Sequence, residues 1–228
     1  MGNLDNACTK PLKITEVKVS SIIIKSKLPD TDYVINPYGG CSFGCKYCYA
    51  SFMCRFLKED IENWGKFIQI KTNAIELADK EIPRLQKLNS PSILFGSVTD
   101  AWQGIESKYK LTRGILEQFV KHDYNGIVSC LTKSNLITRD IDVLKRLKNV
   151  KVGLTITSTD DNISRFLETN APSVSTRIST LKRLNDENIK TYAFVGPIFP
   201  HFIKFPEQLD EIFKKIKKLE PVMFMLSY

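Results

Sequence analysis

Between positions 41 and 48, within the stretch NPYGGCSFGCKYCYA, stand three cysteines: Cys41, Cys45 and Cys48. Thiolates are soft ligands, suited to zinc or iron–sulfur clusters rather than to hard cations. Structural zinc takes four protein ligands, usually as two separated pairs. No second pair exists in this sequence, and His122 and His201 read as ordinary surface or loop histidines. A four-iron cluster has four corner irons, normally held by four cysteines. Three thiolates from one loop leave one iron open to a group that is not protein, and an open position marks a catalytic metal site. Gly39, Gly40 and Gly44 allow the backbone to fold closely around a bulky cluster. Cys8, Cys54 and Cys130 are scattered, and no role is assigned to Cys8. Cys54 and Cys130 read as small buried hydrophobes.

Short apolar, β-branched runs alternate with helical patterns around this cluster, which is the signature of parallel βαβ units. The pattern predicts strands at 33–37, 66–72, 92–97, 126–132, 150–157, 189–198 and 221–226. It predicts helices over 47–58 and over 73–88, the latter with Ile75, Ala78, Ile82 and Leu85 on one stripe and Pro83 as a kink site. Further helices are marked by Leu111, Ile115, Phe119 and Val120, by Ile141, Leu144 and Leu147, and by Ile178, Leu181 and Leu184. The last carries Leu209, Ile212, Phe213, Ile216 and Leu219 at three- and four-residue spacing. The expected fold is α/β: a partial (β/α)6 TIM-like barrel with parallel strands, wound right-handed. It falls short of the eight units, about 250 residues, of a closed barrel. Residues 1–32 are expected as an N-terminal extension packing on the barrel and 33–228 as the barrel itself. The ending directly after a strand leaves room for C-terminal truncation.

Ligands gather at the C-terminal ends of parallel strands. The segments GSVTD (96–100), LTKSN (131–135), TITST (155–159) and VGPIFP (195–200) each follow an apolar strand, and the cysteine loop follows the first. Five strand ends thus present polar or backbone groups to one mouth. Trp102, just past Asp100, either stacks on a base or adenine or caps the core. The stretch CRFLKEDIENWGKF is expected as a lid or as packing on the barrel's open side.

The chain of 228 residues has 43% hydrophobic and 25% charged residues, ordinary for a soluble globular protein. No stretch nears the roughly 18 apolar residues of a membrane span. The start has no apolar leader, and MGNLDN lacks the Ser or Thr of a myristoylation signal at Asn6. The expected location is cytoplasmic, where clustered cysteines bind metal more often than they form disulfides. The net charge of +8 permits an anionic partner. The densest basic run, KKIKK at 214–218, reads as a solvated helix face.

The spacing C-x3-C-x2-C, with an aromatic before the third cysteine, resembles the radical S-adenosylmethionine (SAM) superfamily. In order along the chain, INPYGGCSFGCKYCYA, IKTNA, GSVTDAWQGIE, LTRGILE, LTKSNLITRDIDVLKRL, TITSTDD, NAPSVSTRISTLKRLNDENI and GPIFP are similar to the spore-photoproduct-lyase-like group often labelled "DNA repair photolyase". The resemblance implies a [4Fe–4S] cluster on Cys41, Cys45 and Cys48, reductive cleavage of SAM, and hydrogen abstraction from a substrate by the 5′-deoxyadenosyl radical. It implies an electron donor such as flavodoxin or ferredoxin. By the same likeness Tyr47 and Tyr49 border the SAM pocket and Lys133 and Ser134 contact SAM. Ser97, Thr99, Asp100, Thr155, Thr157 and Gly196 complete the implied contacts. Residues 96–100 lack the superfamily's usual Gly-Gly-Glu. Spore photoproduct lyases also carry a hydrogen-donating cysteine after the second strand, where this chain has SVTDAW with Ser97. A serine O–H is a poor hydrogen-atom donor, so the substrate stays open among DNA, a peptide and a small molecule. Two other readings remain: a non-catalytic iron–sulfur redox or sensor protein, and a zinc-stabilised nucleic-acid-binding module.

Overall fold

The structure, a computed structural model, describes residues 11–219 and the backbone of 222–226. Four short strands lead to and into the cysteine segment: β1 (Lys13–Val17), β2 (Ile23–Lys25), β3 (Tyr33–Ile35) and β4 (Tyr38–Gly39). A 3-10 turn at Tyr49–Met53 then runs into the single-turn α1 (Cys54–Leu57), where the sequence pattern predicts one helix over 47–58. A second 3-10 turn (Ile61–Asn63), β5 (Phe67–Lys71) and α2 (Ala74–Gln86) follow.

The repeating part comprises β6 (Ile93–Phe95), α3 (Glu106–Tyr109), α4 (Leu111–Lys121) and β7 (Val128–Thr132). A 3-10 turn at Asn135–Asp140 passes into α5 (Ile141–Leu144), and β8 (Val150–Thr155) follows. Then come α6 (Asp161–Leu167), α7 (Val174–Asp186), β9 (Thr191–Val195), α8 (His201–Lys204), α9 (Pro206–Lys217) and β10 (Val222–Leu226).

Among the described residues the main sheet has seven strands in the order β10-β9-β8-β7-β6-β3-β2. Six are parallel, and β2 pairs antiparallel with β3. This is the expected parallel α/β architecture, a partial barrel. Ile35, Phe95, Cys130 and Val152 stand in register across four strands, and all four are fully buried. Cys130 is therefore part of a core row, as its sequence surroundings predict.

One strand behaves differently from expectation. β5 does not join the barrel. It forms a side sheet in the order β1-β5-β4, parallel to β1 and antiparallel to β4. The edge of β3 that a successive strand would take belongs to β6, with Ile35 opposite Phe95. Only Asn36 and Pro37 separate β3 from β4, so β5 instead grips the root of the cysteine loop, with Tyr38 opposite Ile70.

The helix after β5 buries the stripe its periodicity predicts. Ala74, Ala78, Ile82 and Leu85 are buried, and Ile75 packs partly against the core. Full burial of a side chain such as Ile82 contributes about 1.5–3 kcal/mol. α2 also holds the segment before β3: the Glu81 carboxylate accepts from the N–H groups of Ile22 and Ile23 at 3.2 and 2.9 Å. Trp102 settles as core. It is fully buried, and its Nε1–H donates to Asp140 Oδ2 at 2.9 Å. The residues Ser227 and Tyr228, on which the truncation reading bears, and Cys8 lie outside the described residues.

Candidate active site

The cysteine loop lies at the C-terminal end of the parallel strands and is gripped from three sides. From the segment after β6, Thr99 Oγ1 and Gln103 Nε2 both donate to Gly40 O, while Ser42 N–H donates to Gln103 Oε1 at 2.8 Å. From the end of α6 and the segment after it, Leu167 O accepts from Lys46 N–H at 2.8 Å. Asn170 N–H donates to Phe43 O at 3.1 Å, and Asn170 Nδ2 donates to Ser42 O at 2.9 Å. The third contact is backbone on backbone. Gly44 and Gly65 have φ of +57° and +90°, and a Cβ on Gly65 would stand 2.7 Å from Gly44 Cα. Such φ values favour glycine, and the close approach excludes any side chain there.

The loop so held packs Cys41, Phe43 and Cys45 together, with Tyr47, Cys48, Trp64 and Ala171 around them. Burial pushes the Cys41 thiol far up, with the Asp100 carboxylate adding to the effect. Burial also raises Cys45 to about 11, against the pull of Lys133. Cys48 is raised by burial as well. All three are therefore protonated near neutrality.

Beside them is a buried polar network. Tyr47 donates to Glu168 Oε1, Ser164 Oγ donates to Glu168 Oε2 at 3.0 Å, and Arg177 Nη2 donates to the same oxygen at 2.5 Å. Burial works to raise the Glu168 pKa, but Arg177 and Lys133 outweigh it and hold the carboxyl below its usual value. Lys133 Nζ is 3.9 Å from Glu168 Oε1 and 5.8 Å above the Tyr47 ring. Asp100 accepts from Thr132 Oγ1 at 2.7 Å, from Trp102 N–H at 2.9 Å and from Lys133 N–H at 2.8 Å. Its pKa still lies above the usual value because burial dominates those bonds.

Residues 35–216 match the radical SAM superfamily. This chain is a radical SAM protein. An uncharacterised protein of Methanocaldococcus jannaschii is 38% identical over 192 residues, which are 84% of this chain and 70% of that protein. An uncharacterised Mycobacterium tuberculosis protein is 25% identical over 190 residues, 81% of this chain and 54% of its own length. Among solved structures, a spore photoproduct lyase variant superposes with a TM-score of 0.75 at 18% identity, covering 92% of this chain and 60% of that one. A variant with bound AdoMet and dinucleoside spore photoproduct gives 0.71 at 17% identity, with 94% and 62% covered. Streptococcus suis SuiB bound to S-adenosylmethionine gives 0.56 at 13% identity, with 96% and 39% covered. At these identities the likeness is one of fold. This chain spans about 60% of the lyase chain and about half of the mycobacterial protein.

Within this radical SAM fold, only some of the residues singled out from sequence converge. Cys45, Tyr47 and Lys133 come together around the buried Glu168, with Cys41 and Cys48 packed beside Cys45. Thr99, Asp100 and Ser134 turn their polar atoms to the protein itself: Thr99 and Asp100 tie loops together, and Ser134 Oγ accepts from Leu136 N–H at 3.2 Å to start the following turn. Ser97 accepts from Asn36 Nδ2 at 2.9 Å, and its carbonyl accepts from the Tyr49 hydroxyl. Tyr49 is otherwise largely exposed. Thr155, the last residue of β8, and Thr157 just past it are buried, and Thr157 Oγ1 has no partner. Gly196 begins the segment after β9.

Sequence reasoning missed Gln103, Glu168, Arg177 and Lys71. Arg177 could have been found: it lies on the stripe Val174, Arg177, Leu181, Leu184, where a charge among apolar residues requires a buried partner. Lys71 Nζ donates to Asn36 O at 2.7 Å, and burial lowers its pKa to about 8.

The superfamily implies a [4Fe–4S] cluster and SAM, and the residues present fit both. Three soft donors share one sheltered loop. Among the described residues no three of His, Cys, Asp or Glu converge on a single ion. Two buried polar atoms, Trp64 Nε1 and Thr157 Oγ1, are without partners. Among the described residues no helix is long and apolar enough to cross a membrane.

Proposed function

We propose that this chain is a radical SAM enzyme that holds a [4Fe–4S] cluster on Cys41, Cys45 and Cys48 and abstracts hydrogen from a substrate bound at the same mouth. The observation that carries this reading is the joint packing of the three cysteines on a loop clamped at the C-terminal end of a parallel sheet. The bound cluster would supply one electron to cleave SAM into methionine and a 5′-deoxyadenosyl radical. The chain's own residues supply position and shelter. Glu168 fixes Tyr47 between Cys45 and Cys48, and Arg177 neutralises Glu168. Lys133, loosely held at 3.9 Å, presents an ammonium group suited to the SAM carboxylate. Thr157 offers a hydroxyl that no protein group uses. The AdoMet bound to the similarly folded lyase variant supports a SAM site here. An external one-electron donor of the flavodoxin or ferredoxin type completes the system.

The dinucleoside spore photoproduct in that lyase structure raises DNA-lesion repair as a second reading. The residues at the mouth weigh against it. Ser97 stands where a donor thiol is needed, Cys130 belongs to the core row, and Cys54 is buried on α1. The substrate is a peptide, a small molecule or a nucleic acid that needs no thiol from this chain.

Anaerobic reconstitution with iron and sulfide tests the proposal. The wild type should take up about four iron and four sulfide per chain and, with reductant and SAM, release 5′-deoxyadenosine. Cys45→Ala should release none. One zinc per chain would instead support the zinc-module reading. A full cluster without SAM cleavage, beside an active control enzyme, would support the sensor reading.

A further inference from the structure

The segment between α1 and β5 is not accounted for by the barrel repeat. Its turn at Ile61–Asn63 is exposed at Ile61, and the next residue, Trp64, turns inward. Trp64 packs against Cys41, Phe43 and Cys45, with its ring edge-on to Phe67 at 6.3 Å between centroids. The indole Nε1 is buried and has no hydrogen-bond partner. An unmade buried hydrogen bond costs about 1–3 kcal/mol, and a phenylalanine would fill apolar space without that cost. The arrangement is nonetheless held firmly. Gly65, the very next residue, meets Gly44 backbone to backbone, so the loop and the tryptophan cannot separate without breaking that contact. Cys48 packs against the same cluster, and the indole is among the groups that pull its thiol down against burial, although Nε1 makes no hydrogen bond to it.

We propose that Trp64 is a positioning residue for the iron–sulfur cluster, donating its Nε1–H to the Cys48 thiolate once that sulfur binds iron. The proposal rests on the reading of the three cysteines as cluster ligands. A thiolate is a far stronger acceptor than a thiol, so loading would give the orphaned donor its partner. Hydrogen bonds to cluster sulfurs stabilise the more negative, reduced state and raise the reduction potential. The fold thus places one uncharged donor against the cluster, beside the charged Lys133 and Asp100, to set how readily it accepts an electron.

The test compares wild type and Trp64→Phe, both reconstituted anaerobically. Iron analysis comes first, then an EPR-monitored redox titration and ENDOR of exchangeable protons in H2O and D2O. Trp64→Phe should load like wild type, and its reduction equilibrium should shift roughly tenfold against the reduced form. That is about 59 mV more negative for a one-electron couple. One exchangeable-proton coupling should vanish with it. A fully loaded variant with the wild-type midpoint and an unchanged proton spectrum overturns the proposal. Should Trp64→Phe fail to load, wild type labelled with 15N in the indole decides: hyperfine coupling to that nitrogen supports the bond, and none refutes it. A wild type that takes up no iron overturns the cluster reading itself, and the iron count shows this before any potential is measured.

Discussion

Two buried networks in this molecule share one plan and differ in one respect. In each, a tyrosine of the cysteine segment donates to a buried glutamate that an arginine neutralises: Tyr38 to Glu106 with Arg139, and Tyr47 to Glu168 with Arg177. Glu106 also accepts from the N–H groups of Thr112 at 3.0 Å and Arg113 at 3.2 Å. Asp140, next to Arg139, takes bonds from Trp102 and from both arginines 113 and 139. This first network closes on itself. Around Glu168 closure is incomplete, since Lys133 stands off at 3.9 Å. Buried polar groups are costly when unsatisfied. Their spare capacity at the mouth, and its absence from the other network, separates a site from a brace.

The largest expected effect is on the brace. Asp140→Ala removes one partner of buried ion pairs and orphans the Trp102 indole, and should cost roughly 3–5 kcal/mol in urea unfolding. A loss below about 1 kcal/mol would mean that this network does not hold the segment after β6. Lys133→Met sharpens the contrast from the other side. Its effect on stability should stay within about 1 kcal/mol, while SAM affinity of the reconstituted protein, by calorimetry, falls at least about tenfold, or 1.4 kcal/mol. A stability loss like that of Asp140→Ala would erase the distinction. The finest comparison uses two threonines. Thr132→Val breaks the 2.7 Å bond to Asp100 and should destabilise by about 1–3 kcal/mol. Thr157→Val removes a hydroxyl that has no partner and should be neutral or stabilising by up to about 1 kcal/mol.

The brace was invisible in the sequence, whereas much of the site was not. Three cysteines at short spacing carry their chemistry in their types, and the strands after them announce themselves by apolar runs. Register and partner choice are less local. Phe67, Ile68 and Ile70 read as a strand in any sheet, and only the closing of β6 on β3 excludes β5 from the barrel. Trp102 could be placed on either side of the mouth until Asp140, 38 positions further on, supplied its acceptor. Glu168 has no distinguishing neighbours at all. Its burial exists because Tyr47 and Arg177 meet there, and neither contact belongs to a short motif.

The two ties on the cysteine segment also differ in when they can form. Tyr38 pairs with Ile70 nearby in the chain, whereas Tyr47 reaches Glu168 across 121 positions. The longer closure adds only about 1 kcal/mol in chain entropy, but it must await synthesis of the residues that complete it. At elongation rates of about 5–20 residues per second, that delay is on the order of 5–20 s. During it the three thiols stand on a hairpin already anchored at its root and still unroofed. Oxidants and stray metal ions would meet them in that interval, so the cluster proposed above would best be inserted after the chain has grown past Arg177.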